Sequence, residues 1–353
     1  MTKYELRQQG VNVSTRRQFL RQLGLGMVAA GATQQLIDDA HGASKSKRKR
    51  NKVKYRILGK TGLKVSEIGF GGHSWSYKRV HDGKGGYRKP TIDEATRMIA
   101  VGIEMGVNFL DSCTPLDESS VPGEALKRLG KRDKVLVSIR VSHKMKGRES
   151  DKKEVYKWTE QRLKLWKTDY VDFCLLCNTA NDTPKSGYWD MSYSMEALDK
   201  LKKQGKIRYT GFGCHFTPEL FLEAFEKFGN YFDIVSLPYN IRHRAAEKLL
   251  PEAKKKGLGV ITIKPFARGE LLKNHDLKRA DSGLPRDMIS FVLENKLIDI
   301  CTCGVHTIEQ VRENFSASRT KLSPVGRKRL EKIAATVISD HQYAWLEHDW
   351  RYV

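Results

Sequence analysis

The chain has 353 residues, 39% of them hydrophobic and 9% aromatic, enough for one large α/β domain or two ordinary ones and too apolar for global disorder. Its formal charge is +23; the first 54 residues hold twelve Lys/Arg against three Asp/Glu, which leaves about +14 on the body. Such an excess favours anionic partners, but no basic patch is interleaved with aromatics and no nucleic-acid motif occurs, so solvated basic faces and no nucleic-acid partner are expected. The six cysteines form no CxxC pair and no zinc spacing, and no metal ligands are assigned.

Residues 13–32 read VSTRRQFLRQLGLGMVAAGA. Arg16 and Arg17 precede Phe19, Leu20 and a modestly apolar Gly/Ala run, an arrangement that resembles a twin-arginine export signal. The apolar run falls short of the roughly 20 residues that a spanning helix needs, so no stable membrane span is expected. Ala30-Gly31-Ala32 offers a small-x-small cleavage site and a second lies near Ala43, which places the signal within residues 1–43. The resemblance implies the twin-arginine export machinery as a partner and a periplasmic or extracellular destination, reached already folded and often with cofactor bound. The competing reading is a chance Arg–Arg pair in an amphipathic helix. Residues 44–54, with the run KSKRKRNKVK, read as a solvated basic linker; a nuclear or nucleic-acid address there conflicts with export.

The body, residues 55–339, alternates strands and helices, with a tail over 340–353. Tyr55 to Val65 reads as a hairpin around Gly59 and Gly62, and Ser66 to Gly72 as the first apolar strand, followed by a basic, Gly-rich loop. Thr91 to Gly106 is an amphipathic helix with Asp93 and Glu94 in its first turn. The second strand ends at Asp111, and a polar loop with Pro115 and Pro122 leads to a helix containing Ala125 and Leu126. Further strands are expected at Val135–Val141, Val171–Cys177, Ile207–Gly213, Phe232–Pro238, Gly259–Lys264 and Ile298–Gly304. The helices between them are expected at Asp151–Lys167, Tyr193–Gly205, Pro218–Phe228, Arg244–Lys256 and Pro285–Asn295, then at Thr307–Ser318 and Ser323–Ser339. No strand pairs through a tight hairpin after the opening one, so parallel pairing with helical crossovers follows. Eight such units close into a (β/α)8 TIM barrel with an N-terminal β-hairpin and an extra C-terminal helix. A doubly wound open sheet would want a Gly-rich turn leading straight into a helix; GFGGHSW, Gly69 to Trp75, is followed instead by a long loop.

Several segments together resemble the aldo-keto reductases: YRILGKTGLKVSEIGFGG, GVNFLDS, YTGFGCH, LPYNIRHR, TIKPFARGELL and GVHTIEQVRENFSA, in the family's order over residues 55 to about 320. The resemblance implies hydride exchange between a nicotinamide and a carbonyl, with a tyrosine as proton donor tuned by a lysine and an aspartate, and a histidine orienting the substrate. The family's aspartate matches Asp111, its tyrosine falls at Leu116, its lysine at Arg140 and its histidine at Cys177. Leucine has no proton to give, which forfeits roughly 10²–10⁴-fold of acid–base catalysis. Arginine stays protonated at any working pH, so Arg140 either pairs with Asp111 or anchors a carboxylate or phosphate of the ligand. Asp111, Arg140 and Cys177 are the candidate catalytic residues of an oxidoreductase for which ordinary carbonyl reduction is in doubt. A non-catalytic ligand- or partner-binding barrel and a cysteine-based metal or redox protein are the alternatives.

The same resemblance places a cofactor cradle, for NADP, at Arg268, Gly269, Gly304, His306, Thr307, Gln310 and Asn314, where a helix beginning near Thr307 offers backbone donors to an anion. The plainer reading makes Thr307 only a helix cap. At the nicotinamide end the match fades: the family's serine–asparagine pair falls at Gly213 and Cys214, its glutamine at Ser236 and its stacking aromatic at Ile263. Cys113, Cys177, Cys214 and Cys303 are expected to converge at the carboxyl ends of strands beside His215, and Cys174 and Cys301 to pack deeper. The small-molecule substrate carries no signature in the loops.

Overall fold

A computed structural model of the protein describes residues 52–75, 80–81, 87–112, 120–142, 147–178, 190–214, 218–272 and 283–335. The export-signal reading of residues 1–43, all but the last three residues of the basic linker, Cys113, Leu116, His215 and the tail over 340–353 lie outside them. Among the described residues no helix is long and apolar enough to cross a membrane.

The chain opens with an antiparallel hairpin, β1 (Tyr55–Ile57) and β2 (Lys64–Ser66), turned through Gly59 and Gly62 at positive φ. Then come β3 (Ile68–Phe70), a two-stranded ribbon of β4 (Val80–His81) and β5 (Tyr87–Arg88), and α1 (Ile92–Glu104). Five strand–helix pairs follow: β6 (Phe109–Asp111) and α2 (Ser120–Leu129), β7 (Leu136–Ser142) and α3 (Glu149–Trp166), β8 (Val171–Asn178) and α4 (Ser192–Lys203), β9 (Ile207–Cys214) and α5 (Pro218–Phe228), β10 (Ile234–Pro238) and α6 (Ala246–Lys255). β11 (Gly259–Ile263), α7 (Leu284–Glu294), β12 (Ile300–Cys303), α8 (Ile308–Ser316) and α9 (Pro324–Ala335) complete the described chain. Eight strands close a barrel in the order β10-β11-β12-β3-β6-β7-β8-β9, every pairing parallel, so the expected (β/α)8 barrel with its opening hairpin is found. The ribbon of β4 and β5 is a departure. The loop after the first strand does contain antiparallel pairing, which its basic, glycine-rich sequence hid because two-residue strands carry no readable alternation.

Local chemistry starts the elements where the sequence places them. Thr91 caps α1 through the amide of Glu94, and the Glu94 carboxylate accepts in return from the Thr91 amide. The Arg88 guanidinium on that carboxylate holds it at about 2, below the ordinary range. Inside the barrel, alternate residues of the strands form one apolar plug: Phe109, Phe173, Leu175, Ile234, Ile261 and Ile300, with Leu58 and Val65 of the hairpin beneath them. The hairpin thus stoppers the end at which the strands begin, and its amide at Lys60 donates to the carbonyl of Gly257 just before β11. The opposite end is left for a site.

That stoppered end carries a repeated device. Asn108, Asp172, Asp233 and Asp299 sit at the starts of β6, β8, β10 and β12, and each side chain accepts from a backbone amide beside the preceding strand: Ser66, Val137, Thr210 and Val260, at 2.7–2.9 Å. Every second strand therefore pins its neighbour's register. Asp172 also binds Arg132 at 3.0 Å and Arg208 at 2.7 Å, its own side chain fully buried. Asp172→Ala leaves a buried amide unpaired and two arginines uncompensated. A loss of about 2–3 kcal/mol in denaturant unfolding is expected, and a loss within experimental error would show that the device contributes nothing.

Candidate functional site

The period of two that fills the barrel also selects what stands above the plug. Phe109 faces inward, so Asp111 does; Phe173 and Leu175 do, so Cys177 does; Ile234 brings Ser236, Ile261 brings Ile263, and Ile300 brings Thr302. Asp111 pairs in register with Ser138, and Arg140 stands one inward position further along β7. The Arg140 Nη2 donates to Asp111 Oδ2 at 2.6 Å and to Ser236 Oγ at 3.2 Å, and Nη1 to Cys177 Sγ at 3.7 Å. Asp111 and Arg140 are each 3% exposed, so the ion pair is buried. The structure therefore brings together the three residues singled out as catalytic candidates, and adds Ser236 from across the barrel.

A cavity of about 240 Å³ opens above this layer. Asp111 and Arg140 form part of its floor with Thr302; Cys177 lies behind Arg140 and does not line it. The Thr302 hydroxyl donates to the carbonyl of Thr262 at 3.1 Å. Asp111 Oδ1, Ser138 Oγ and Asn314 Oδ1 are buried and have no hydrogen-bond partner among the described residues. An unmet buried polar atom costs about 1–3 kcal/mol, and such costs collect where a ligand supplies the missing group.

Six of the seven residues expected to cradle a dinucleotide line the cavity: Arg268, Gly269, Gly304, His306, Gln310 and Asn314. Thr307 does not. Its hydroxyl caps α8 by accepting from the amide of Gln310 at 3.2 Å, while the Gln310 side chain accepts from the amide of His306 at 2.7 Å. The loop after β11 is wound unusually tightly: Lys264, Ala267 and Arg268 have φ of 61°, 47° and 61°, and Gly269 has φ of 95°. Left-handed non-glycine residues cost of order 1 kcal/mol each and persist where the surroundings fix them. Here the amides of Ala267 and Gly269 turn back onto the carbonyls of Lys264 and Phe266, and Asn240 donates to the Lys264 carbonyl. A side chain at Gly269 would meet nothing within 4 Å. The cradle is a concave backbone with basic side chains, His73, Lys264, Arg268 and His306, around it. That donor set and the unmet Asn314 acceptor fit a phosphate-bearing ligand whose other end carries hydrogen-bond donors.

Sequence reasoning missed His73, Lys264 and Thr302. Thr302 was recoverable from strand alternation; His73 and Lys264 were not, because loop geometry alone brings them to the cavity. At the other end, Gly213 has φ of 136° and a Cβ there would stand 2.0 Å from the carbonyl oxygen of Ser236, so only glycine fits beside Arg140's second acceptor. The side chain of Cys214 lies outside the described part of the chain.

Of the four cysteines expected to converge, the side chains of Cys177 and Cys303 are described, and these two do not face each other. Ile300 and Thr302 face inward, so Cys301 and Cys303 face the helices; Cys303 Sγ lies 3.9 Å from Asn314 Nδ2 of α8, whereas Cys177 faces the interior. Strand alternation separates residues that strand ends alone would bring together. Cys174 and Cys301 pack fully buried, as expected, and burial pushes both thiols up to about 12; Cys303 is raised well above its ordinary value for the same reason. Among the described residues no group of three or more His, Cys, Asp or Glu is arranged to hold a metal ion.

The ion pair makes a separable prediction. Arg140→Met leaves a carboxylate buried without its cation and is expected to cost about 3–5 kcal/mol in denaturant unfolding. Adding Asp111→Leu is expected to recover part of that loss, giving a non-additive double-mutant cycle; additive losses would mean that the two charges do not depend on each other.

Comparisons with known proteins agree with this geometry. Residues 67–313 match the model of the aldo/keto reductase family. An L-galactose dehydrogenase of Arabidopsis thaliana is 27% identical over 327 residues, 83% of this chain and 97% of that protein. A probable voltage-gated potassium channel subunit beta, also of Arabidopsis thaliana, is 26% identical over 257 residues, 69% of this chain and 71% of the relative. Among solved structures, a holo aldo-keto reductase from Bacillus halodurans superposes with a TM-score of 0.61 at 24% identity, over 82% of this chain and 99% of that one, which speaks for the fold alone. The chain belongs to the aldo/keto reductase family.

Proposed function

We propose that this member of the family is an exported oxidoreductase that binds NADP in the cradle at the barrel mouth and works with altered proton chemistry. The observation that carries the reading is one shared cavity: Arg268, Gly269, Gly304, His306, Gln310 and Asn314 line it together with the buried Asp111–Arg140 pair. A nicotinamide dinucleotide held there would supply hydride exchange. Arg268 would meet its phosphates as a cation, and Asn314 Oδ1 would accept from its base. Among the described residues that line the cavity none is a tyrosine, and the sequence position that corresponds to the family's proton donor is Leu116. The Arg140 guanidinium is a fixed positive charge that stabilises an oxyanion but gives up no proton. A relative named as a sugar dehydrogenase favours an oxidoreductase that turns over; one named as a channel subunit favours a binding role for the same barrel. The paired floor is compatible with both, and the cradle supports a cofactor-binding protein.

Titration of the purified chain with NADPH, followed by the cofactor's fluorescence, is expected to show saturable binding that Arg268→Ala weakens about tenfold, the worth of one charge-assisted contact. No binding at high micromolar cofactor would remove the NADP reading. Carbonyl reduction or alcohol oxidation that depends on Asp111 would remove the non-catalytic one. The export part of the proposal rests on the RRQFL motif alone. Replacing Arg16 and Arg17 together by lysine is expected to leave the chain in the cytoplasm on cell fractionation, and unchanged export of that double variant would dismiss the signal.

A further inference from the structure

We infer that the stoppered end of the barrel docks on an anionic lipid surface, its lysines against the headgroup phosphates and Ile57 and Leu297 in the headgroup layer. The inference goes beyond the proposed function and is independent of what the cavity at the other end binds.

Parallel pairing brings to this end every segment that leads into a barrel strand. Residues 52–67, 104–108, 129–135, 167–172, 202–208, 229–233, 254–258 and 295–299 together hold seventeen Lys/Arg and seven Asp/Glu. Folding sorts these charges. Glu67, Asp172 and Asp299 are buried, accepting from the Ser318 hydroxyl and from the amides of Val137 and Val260. Twelve of the cations are exposed but only two of the acids, Asp133 and Asp169. The strand-pinning device therefore draws carboxylates inward and leaves a positive surface. Helix ends account for part of it: Lys202, Lys203 and Lys255 stand at the C-termini of α4 and α6, where cations are favoured. They do not account for Lys52, Lys54 and Lys64, which belong to the hairpin or lead into it and lie in no helix.

Apolar side chains are set among these cations. Of the five large hydrophobics exposed among the described residues, three are here: Tyr55, Ile57 and Leu297, at 38%, 58% and 36%. Arg56 fixes them on one ledge. From β1 its guanidinium donates to the carbonyls of Leu293, Asn295 and Ile298, so the strand that carries Tyr55 and Ile57 is held against the turn that carries Leu297. Lys64, opposite Ile57 in the hairpin register, stands over the Tyr55 ring.

Few partners meet a positive face of this kind. A second copy of the chain would set cations against cations. An acidic polysaccharide or a nucleic acid would match the charge but offers the aliphatic Ile57 and Leu297 no apolar layer. An anionic bilayer supplies both, phosphates for the lysines and acyl chains just beneath them. Seated in this way, the barrel turns its carboxyl-end cavity away from the lipid.

Co-sedimentation of the full-length chain with vesicles tests this, with phosphatidylglycerol mixed into phosphatidylcholine and with phosphatidylcholine alone. Binding to the anionic vesicles is expected, weakening as salt is raised, and binding to the neutral ones is expected to be at least about tenfold weaker. Ile57→Ser with Leu297→Ser is expected to weaken binding about tenfold and to keep the salt dependence. Lys64→Glu with Lys131→Glu and Lys203→Glu is expected to weaken it further and to flatten that dependence. All five side chains are exposed, and an unchanged near-ultraviolet circular dichroism spectrum is the control for folding. Equal binding of the wild-type chain to both kinds of vesicle, or none to the anionic kind, overturns the inference without any variant. Binding that neither variant alters also overturns it, because the basic first 54 residues would then be what holds the lipid. So does binding to heparin as tight as to lipid and indifferent to Ile57→Ser with Leu297→Ser, the mark of a general polyanion surface.

Discussion

The ion pair between Asp111 and Arg140 is the constraint around which the carboxyl end of the barrel strands is arranged. Two charges taken out of water lose several kcal/mol of hydration each, and the loss is offset only by close geometry and further hydrogen bonds. The 2.6 Å contact supplies the first condition, and Ser236 and Cys177 supply the second. A guanidinium meets these needs where an ammonium would not, because its planar fork reaches several acceptors at fixed angles. One side chain on β7 thereby ties β6, β8 and β10, three strands that stand apart in the sheet order. Gly213 belongs to the same constraint: any side chain there would displace the Ser236 backbone that Arg140 depends on.

From this follows a division of the cavity. The floor is neutral overall and rich in acceptors, since among the described residues its one cation is matched by its one anion. The cradle is basic and built from loop backbone, with four left-handed residues in the six from Lys264 to Gly269. Strain of that kind is stable only when hydrogen bonds fix it, and Asn240 and the loop's own amides do so. The two halves are positioned independently, one by strand register and the other by a turn. Side chains of the floor can therefore change without moving the backbone of the cradle.

The fold was legible because each barrel strand is a short apolar run between polar helices, and parallel pairing leaves few ways to close eight such units. The ribbon of β4 and β5 was not legible, since two residues show no period. In the site, Asp111 and Arg140 could be placed from strand ends alone. The facing of side chains needed the register: Cys303 and Cys177 look equivalent by position and are turned to opposite sides of the barrel wall. The contact of Arg140 with Ser236, which spans 96 positions in sequence, needed the closed barrel. Thr307 shows the opposite limit, a motif residue whose hydroxyl is engaged by its own helix start.

An arginine rather than a lysine beside Asp111 limits what the site can do with protons. A lysine beside an aspartate can surrender its proton in a desolvated site and pass it on; a guanidinium cannot within the working range of a protein. The charge on Arg140 is therefore a constant of the site. The pair accordingly offers the cavity a fixed positive charge beside a carboxylate, which stabilises a developing negative charge without handing on a proton from the guanidinium.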